Sequence, residues 1–209
     1  MFICQSWRHF LVENSLRRVI IVGLPGVGKT TLISKAVELL RQRDCEYSVV
    51  VFGSLMLEES RELRLANRDQ MRKLSIDEQR RLQQRAANRI AAMKGDLIII
   101  DTHLLISTDN GYYPGLPVNL LDTIKPTNII MISADPTDIL QRRTQDRSRD
   151  RDIRQEMNIR EELEISRAMI ACCSLVSGCS FLSIMNNNNE IDKAAASLAS
   201  CLLGNSGKT

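Results

Sequence analysis

The sequence predicts an α/β fold, a mostly parallel five-stranded sheet with helices on both faces. Three observations predict it. Short apolar runs rich in valine and isoleucine recur along the 209 residues, stretches with helical spacing separate them, and a glycine-rich turn joins the first run to the first helix. Strands covered on both sides read as unbroken apolar runs rather than alternating ones. In such sheets ligands bind beyond the carboxyl ends of the strands, which says where to look for chemistry.

The first strand is predicted at 19–22, where Val19, Ile20, Ile21 and Val22 run into glycine. After the turn, Leu32, Ala36, Val37, Leu39 and Leu40 recur at helical spacing, with Arg41 and Arg43 near the end, where cations oppose the helix dipole. Further strands are predicted at 47–52 and 96–100 with a long helical region between them. There Ser75 followed by Glu78 forms a capping-box signature, so a helix is expected from that point to about Met93. A fourth strand is expected at 128–132, followed by Asp135 as a cap ahead of the first-turn proline Pro136. Residues 181–185 make the fifth. The asparagine run 186–189 is a polar turn, and the tail 204–209 is expected to fray.

With 44% hydrophobic residues the chain can bury one substantial core, expected at 19–203 behind an N-terminal extension at 1–18. The 28 basic and 25 acidic residues leave a charge of +3, too small to imply wholesale binding to nucleic acid or membrane. Six cysteines lack paired metal-ligand spacing and only His9 and His103 could supplement them, so no zinc site is expected. Most lie in apolar stretches, where a free thiol behaves as a small hydrophobe, and this fits a reducing, cytoplasmic compartment. In the extension, Arg8, His9 and Glu13 interrupt the apolar residues, so neither a signal peptide nor a membrane span is expected there.

The segment Gly23-Leu24-Pro25-Gly26-Val27-Gly28-Lys29-Thr30 matches G-x-x-x-x-G-K-[ST], and it stands between a predicted strand and a predicted helix, as a phosphate-binding P-loop must. Glycines let backbone amides turn towards phosphate oxygens and the helix N-terminus adds partial positive charge. Lys29 is expected on the outer phosphates rather than in the core, and Thr30 as a magnesium ligand. A P-loop alone does not fix the reaction. A GTPase would carry an Asp-x-x-Gly switch and an Asn-Lys-x-Asp guanine reader, and neither is found.

Asp101 follows the run 97–100, so it projects from the carboxyl end of a buried strand, where a carboxylate can hold magnesium, usually through water. Thr102 and His103 continue that strand end and could meet an acceptor. The charged stretch 68–73 reads on spacing alone as solvated surface, and 111–117 as a turn before a helix. Residues 142–152 interleave five arginines with three aspartates; the planar arginine fork suits bidentate phosphate contacts, and the composition suits a closing lid.

Taken together, GLPGVGKTT, FGS at 52–54, RDQMRKL at 68–74, DTH at 101–103, YPGLP at 113–117 and the RR…RSRDRD segment resemble the archaeal-type adenylate kinases over residues 18–203. The resemblance implies a P-loop NTPase three-layer sandwich with a short lid at about 142–152 and an acceptor-binding region at about 53–94. It also implies reversible phosphoryl transfer from MgATP to AMP giving two ADP, and a possible homotrimer. On its pattern, ATP phosphates bind Gly23 through Thr31, the acceptor side falls on Arg72, Asp101 and His103, magnesium on Thr30 and Asp101, and Arg143, Arg149 and Arg151 match lid arginines that would join Lys29 in catalysis. The residues alone leave open a kinase for another small acceptor, or an ATPase or RNA-assembly factor.

Overall fold

The computed structural model describes residues 16–41, 46–63, 70–71, 74–108, 111–145 and 156–204. The elements alternate: β1 (Arg17–Val22), α1 (Lys29–Leu40), β2 (Tyr47–Val51), α2 (Phe52–Glu59), α3 (Ile76–Ala91), β3 (Leu97–Asp101), β4 (Leu105–Thr108), β5 (Gly111–Pro114), α4 (Val118–Ile124), β6 (Asn128–Ser133), α5 (Pro136–Gln145), α6 (Glu156–Ser177), β7 (Ser180–Met185) and α7 (Ile191–Leu202). Five strands form one sheet in the order β2-β3-β1-β6-β7, and every neighbouring pair is parallel.

Register follows hydrophobicity. Ile20 pairs with Ile100 on one side and Ile129 on the other, and β3 is buried along its whole length. Each fully buried isoleucine contributes roughly 1.5–3 kcal/mol relative to exposure. The central position of β1 brings the turn after it to the middle of the sheet's carboxyl edge. The helices make two packed groups: α1 lies against α7, while α2 packs on α3, α3 on α4, and α4 on α6.

The structure adjusts several sequence expectations. β2 ends at Val51 and Phe52 already begins α2, burying its ring at the strand end. α1 ends at Leu40 with Arg41 as its C-cap, and Arg41 donates from Nε to the Tyr47 hydroxyl; Arg43 lies outside the described residues. The capping box at α3 forms as expected, the Ser75 hydroxyl accepting from the Glu78 amide while Glu78 accepts from the Ser75 amide. Residues 111–117 are more than a turn. Gly111–Pro114 pairs antiparallel with Leu105–Thr108 as a hairpin outside the main sheet, and only 115–117 turn into α4. Among the described residues no helix is long and apolar enough to cross a membrane.

Candidate active site

The turn from β1 to α1 is shaped by close backbone approaches. A Cβ on Gly23 would stand 2.6 Å from the Ile132 carbonyl oxygen, so only glycine lets this strand end lie against β6. Gly28 is the N-cap of α1 at φ 79°, and it offers no side-chain acceptor to the first amides of the helix. Those donors, with the positive end of the helix dipole, are what an anion would use.

Lys29 folds back instead of standing clear of the core. Its side chain is 8% exposed, and the ammonium pairs with Asp101 Oδ1 and donates to the Thr102 carbonyl. Burial pulls its pKa below the ordinary lysine value, and the Asp101 carboxylate works against that pull. The expectation that this ammonium lies outside the core is therefore corrected: it is buried against the Asp101 carboxylate. Asp101 and Thr102 are buried, whereas Thr30, Thr31 and His103 are exposed.

The strand end is fixed by its neighbours. Thr102 donates its amide to the Ile21 carbonyl. Gly115 packs against His103 so closely that a Cβ would fall 1.9 Å from the His103 carbonyl oxygen, and its amide donates to the Leu104 carbonyl. The 113–117 segment is thus joined to the 101–103 segment.

Two arginines from α5 reach the P-loop. Arg143 donates from Nε to the Pro25 carbonyl at 2.8 Å and from Nη2 to Glu162 Oε2 at 3.4 Å. Arg142 reaches the carbonyls of Gly26 (3.5 Å), Val27 (3.3 Å) and Asn186 (3.0 Å) and the side chain of Asn188 (2.8 Å). Asn186, read from sequence as part of a polar turn, is 3% exposed and donates from Nδ2 to the Val27 carbonyl at 2.8 Å. The sequence reads Arg142 only as part of the arginine-rich lid segment, and Asn186 and Glu162 are the contributors that it did not single out; the position of Asn186 directly after a predicted strand was the available signal. Arg72, Arg149 and Arg151, and with them most of the expected lid and part of the acceptor region, lie outside the described residues.

Comparison with known proteins bears on the same stretch. The sequence model of the AAA domain family matches residues 22–160. The adenylate kinase of Methanocaldococcus jannaschii is 44% identical over 137 residues, covering 65% of this chain and 71% of that protein. The chain belongs to the archaeal-type adenylate kinases. The adenylate kinase of Methanoculleus marisnigri is 46% identical over 139 residues, covering 66% and 72%, and that of Pyrococcus horikoshii 44% over 137 residues, covering 65% and 68%. Among solved structures, shikimate kinase from Acinetobacter baumannii in complex with shikimate superposes with a TM-score of 0.58 at 17% identity, over 93% of this chain and 97% of that one. Shikimate kinase from Aquifex aeolicus gives 0.51 at 15%, over 90% and 97%. At those identities the likeness is one of fold, and the fold is that of P-loop kinases. Around its P-loop this archaeal-type adenylate kinase gathers the 101–103 strand end, the hairpin joined to it and the two α5 arginines.

Proposed function

We propose that the chain catalyses reversible phosphoryl transfer from MgATP to AMP, giving two ADP. The observation that carries this reading is the 40–46% identity to adenylate kinases of several archaea. The donor phosphates would lie over the amides at the start of α1, held from Gly23 through Thr31. Lys29 would exchange its carboxylate for phosphate oxygens, a move favoured because burial already disfavours an ammonium without a close anion.

Thr30 and Asp101 offer a hydroxyl and a carboxylate, hard oxygen donors of the kind that suit magnesium, which Asp101 would hold through bound water. Magnesium, when bound, would neutralise charge on the donor phosphates. The acceptor phosphate is anionic at neutral pH and needs no strong general base, so none is assigned; positioning and charge stabilisation do the work. Arg72, Asp101 and His103 are assigned to the acceptor, and Arg143, Arg149 and Arg151 to the phosphoryl group in transfer. The reading includes a cytoplasmic setting, in keeping with free Cys172, Cys173, Cys179 and Cys201, and a homotrimer taken from the family resemblance.

The test is ADP formation by purified protein given MgATP with AMP, CMP, UMP, GMP, shikimate or water. AMP should exceed the other nucleotides by at least about tenfold in kcat/KM, roughly 1.4 kcal/mol of transition-state binding. Equal use of another acceptor would overturn the substrate, and ADP formation with water alone would overturn the kinase reading.

A further inference from the structure

Glu162 is a carboxylate that the reaction as described does not use, yet it is only 6% exposed. A buried charge is a poor source of stability, because desolvation offsets most of what the ion pair gains. Its surroundings suggest another use. Glu162 Oε2 accepts from Arg143 Nη2, and Oε1 accepts from the Tyr112 hydroxyl of the β4–β5 hairpin at 3.5 Å. Both side chains of the ion pair are nearly sealed from water, 9% exposed for Arg143 and 7% for Glu162.

Three restraints act on the Arg143 side chain. Its stem crosses Gly26, where an added Cβ would stand 3.0 Å from Arg143 Cγ. Its Nε is tied to the Pro25 carbonyl, and its Nη2 to Glu162. Two anchored nitrogens fix the plane of a rigid guanidinium, and Nη1 makes no hydrogen bond to the described residues. We infer that Glu162 is a positioning residue: it fixes the guanidinium plane of Arg143 against the P-loop, so that the remaining donors are already aimed when the phosphates arrive. This rests on the assignment of Arg143 to the transferring group. The gain lies in orientation, since a misplacement of about 1 Å can cost on the order of a hundredfold in rate.

The test is a kinetic cycle on the full-length protein, comparing the parent, Glu162→Gln, Glu162→Asp, Arg143→Ala and each Glu162 variant combined with Arg143→Ala, with thermal unfolding measured for all. Glutamine keeps the shape and removes the charge, while aspartate keeps the charge and withdraws it by one methylene; should glutamine fail to fold, aspartate carries the comparison. The expected result is a kcat about tenfold to a hundredfold below the parent for the Glu162 variants, with KM for ATP and AMP within about twofold. In the Arg143→Ala background the same changes should alter kcat by less than about twofold, because there is no longer a guanidinium to aim. A loss that persists undiminished without Arg143, or Glu162 variants with parental kcat, would overturn the positioning role alone. An Arg143→Ala variant with parental kcat would overturn the arginine assignment and this inference together, while leaving AMP phosphorylation by the parent intact.

Discussion

Replacing Lys29 with methionine should remove both activity and stability, and the second loss follows from where the structure puts the ammonium. Methionine matches the length of the lysine stem, so little packing is lost. What remains is an Asp101 carboxylate, about 9% exposed, without the cation that faced it. Breaking a buried pair by deleting one partner costs roughly 3–5 kcal/mol. For a chain of this size each kcal/mol lowers Tm by about 2–4 °C, so Lys29→Met should melt on the order of 6–20 °C below the parent. Adding Asp101→Asn removes the stranded charge and leaves chiefly the Thr102 carbonyl without its donor, a cost of about 1 kcal/mol, so the double variant should recover most of the lost Tm. Neither variant should transfer phosphate. Far-UV circular dichroism during heating, with ADP formation measured on the same samples, makes the comparison. A Lys29→Met protein melting with the parent, or a double variant melting below the single one, would refute the reasoning.

Gly115→Ala should be severely destabilising, since its Cβ would fall 1.9 Å from the His103 carbonyl oxygen, while Gly111→Ala meets nothing within 4 Å and suffers only the strain of φ 111°, about 1–2 kcal/mol; urea unfolding of both should rank them so. Ser75→Ala removes the N-cap of α3 and should cost about 1 kcal/mol by the same measurement, with kcat little changed. Burial pushes the Cys173 thiol up to about 11, so at pH 8 its thiolate fraction is on the order of one in a thousand. A thiol reagent followed by peptide mass analysis should therefore label exposed Cys172 before Cys173, and Cys173 only on unfolding; raising the pH towards 11 should increase the ionised fraction of Cys173.

The parts of the fold that the sequence made legible are those whose cause is local. β1, the P-loop and α1 are contiguous, and the Ser75 and Glu78 cap is complete within four residues. The site was legible only in part, because its decisive contacts join distant stretches. Lys29 and Asp101 are 72 positions apart, and no periodicity tells that strand order sets β3 beside β1 and so brings their ends together. Asn186 is 159 positions from the carbonyl it holds; asparagine in a row of asparagines looks like a solvated turn until β7 is seen to end against the P-loop. The hairpin escaped because Gly111, Pro114 and Gly115 signal turns, and its two strands are only four residues each.

The clasp on the back of the P-loop has a consequence for its front. Asn186 Nδ2 and Arg142 Nη1 both donate to the carbonyl of Val27. The peptide unit is planar and trans, so holding that carbonyl on one side turns the Gly28 N–H to the opposite side. A charged donor on the oxygen also polarises the amide and makes its proton a stronger donor. One amide of the phosphate cradle is therefore oriented during folding by residues that need never touch the nucleotide, and ATP meets a peptide plane that is already turned.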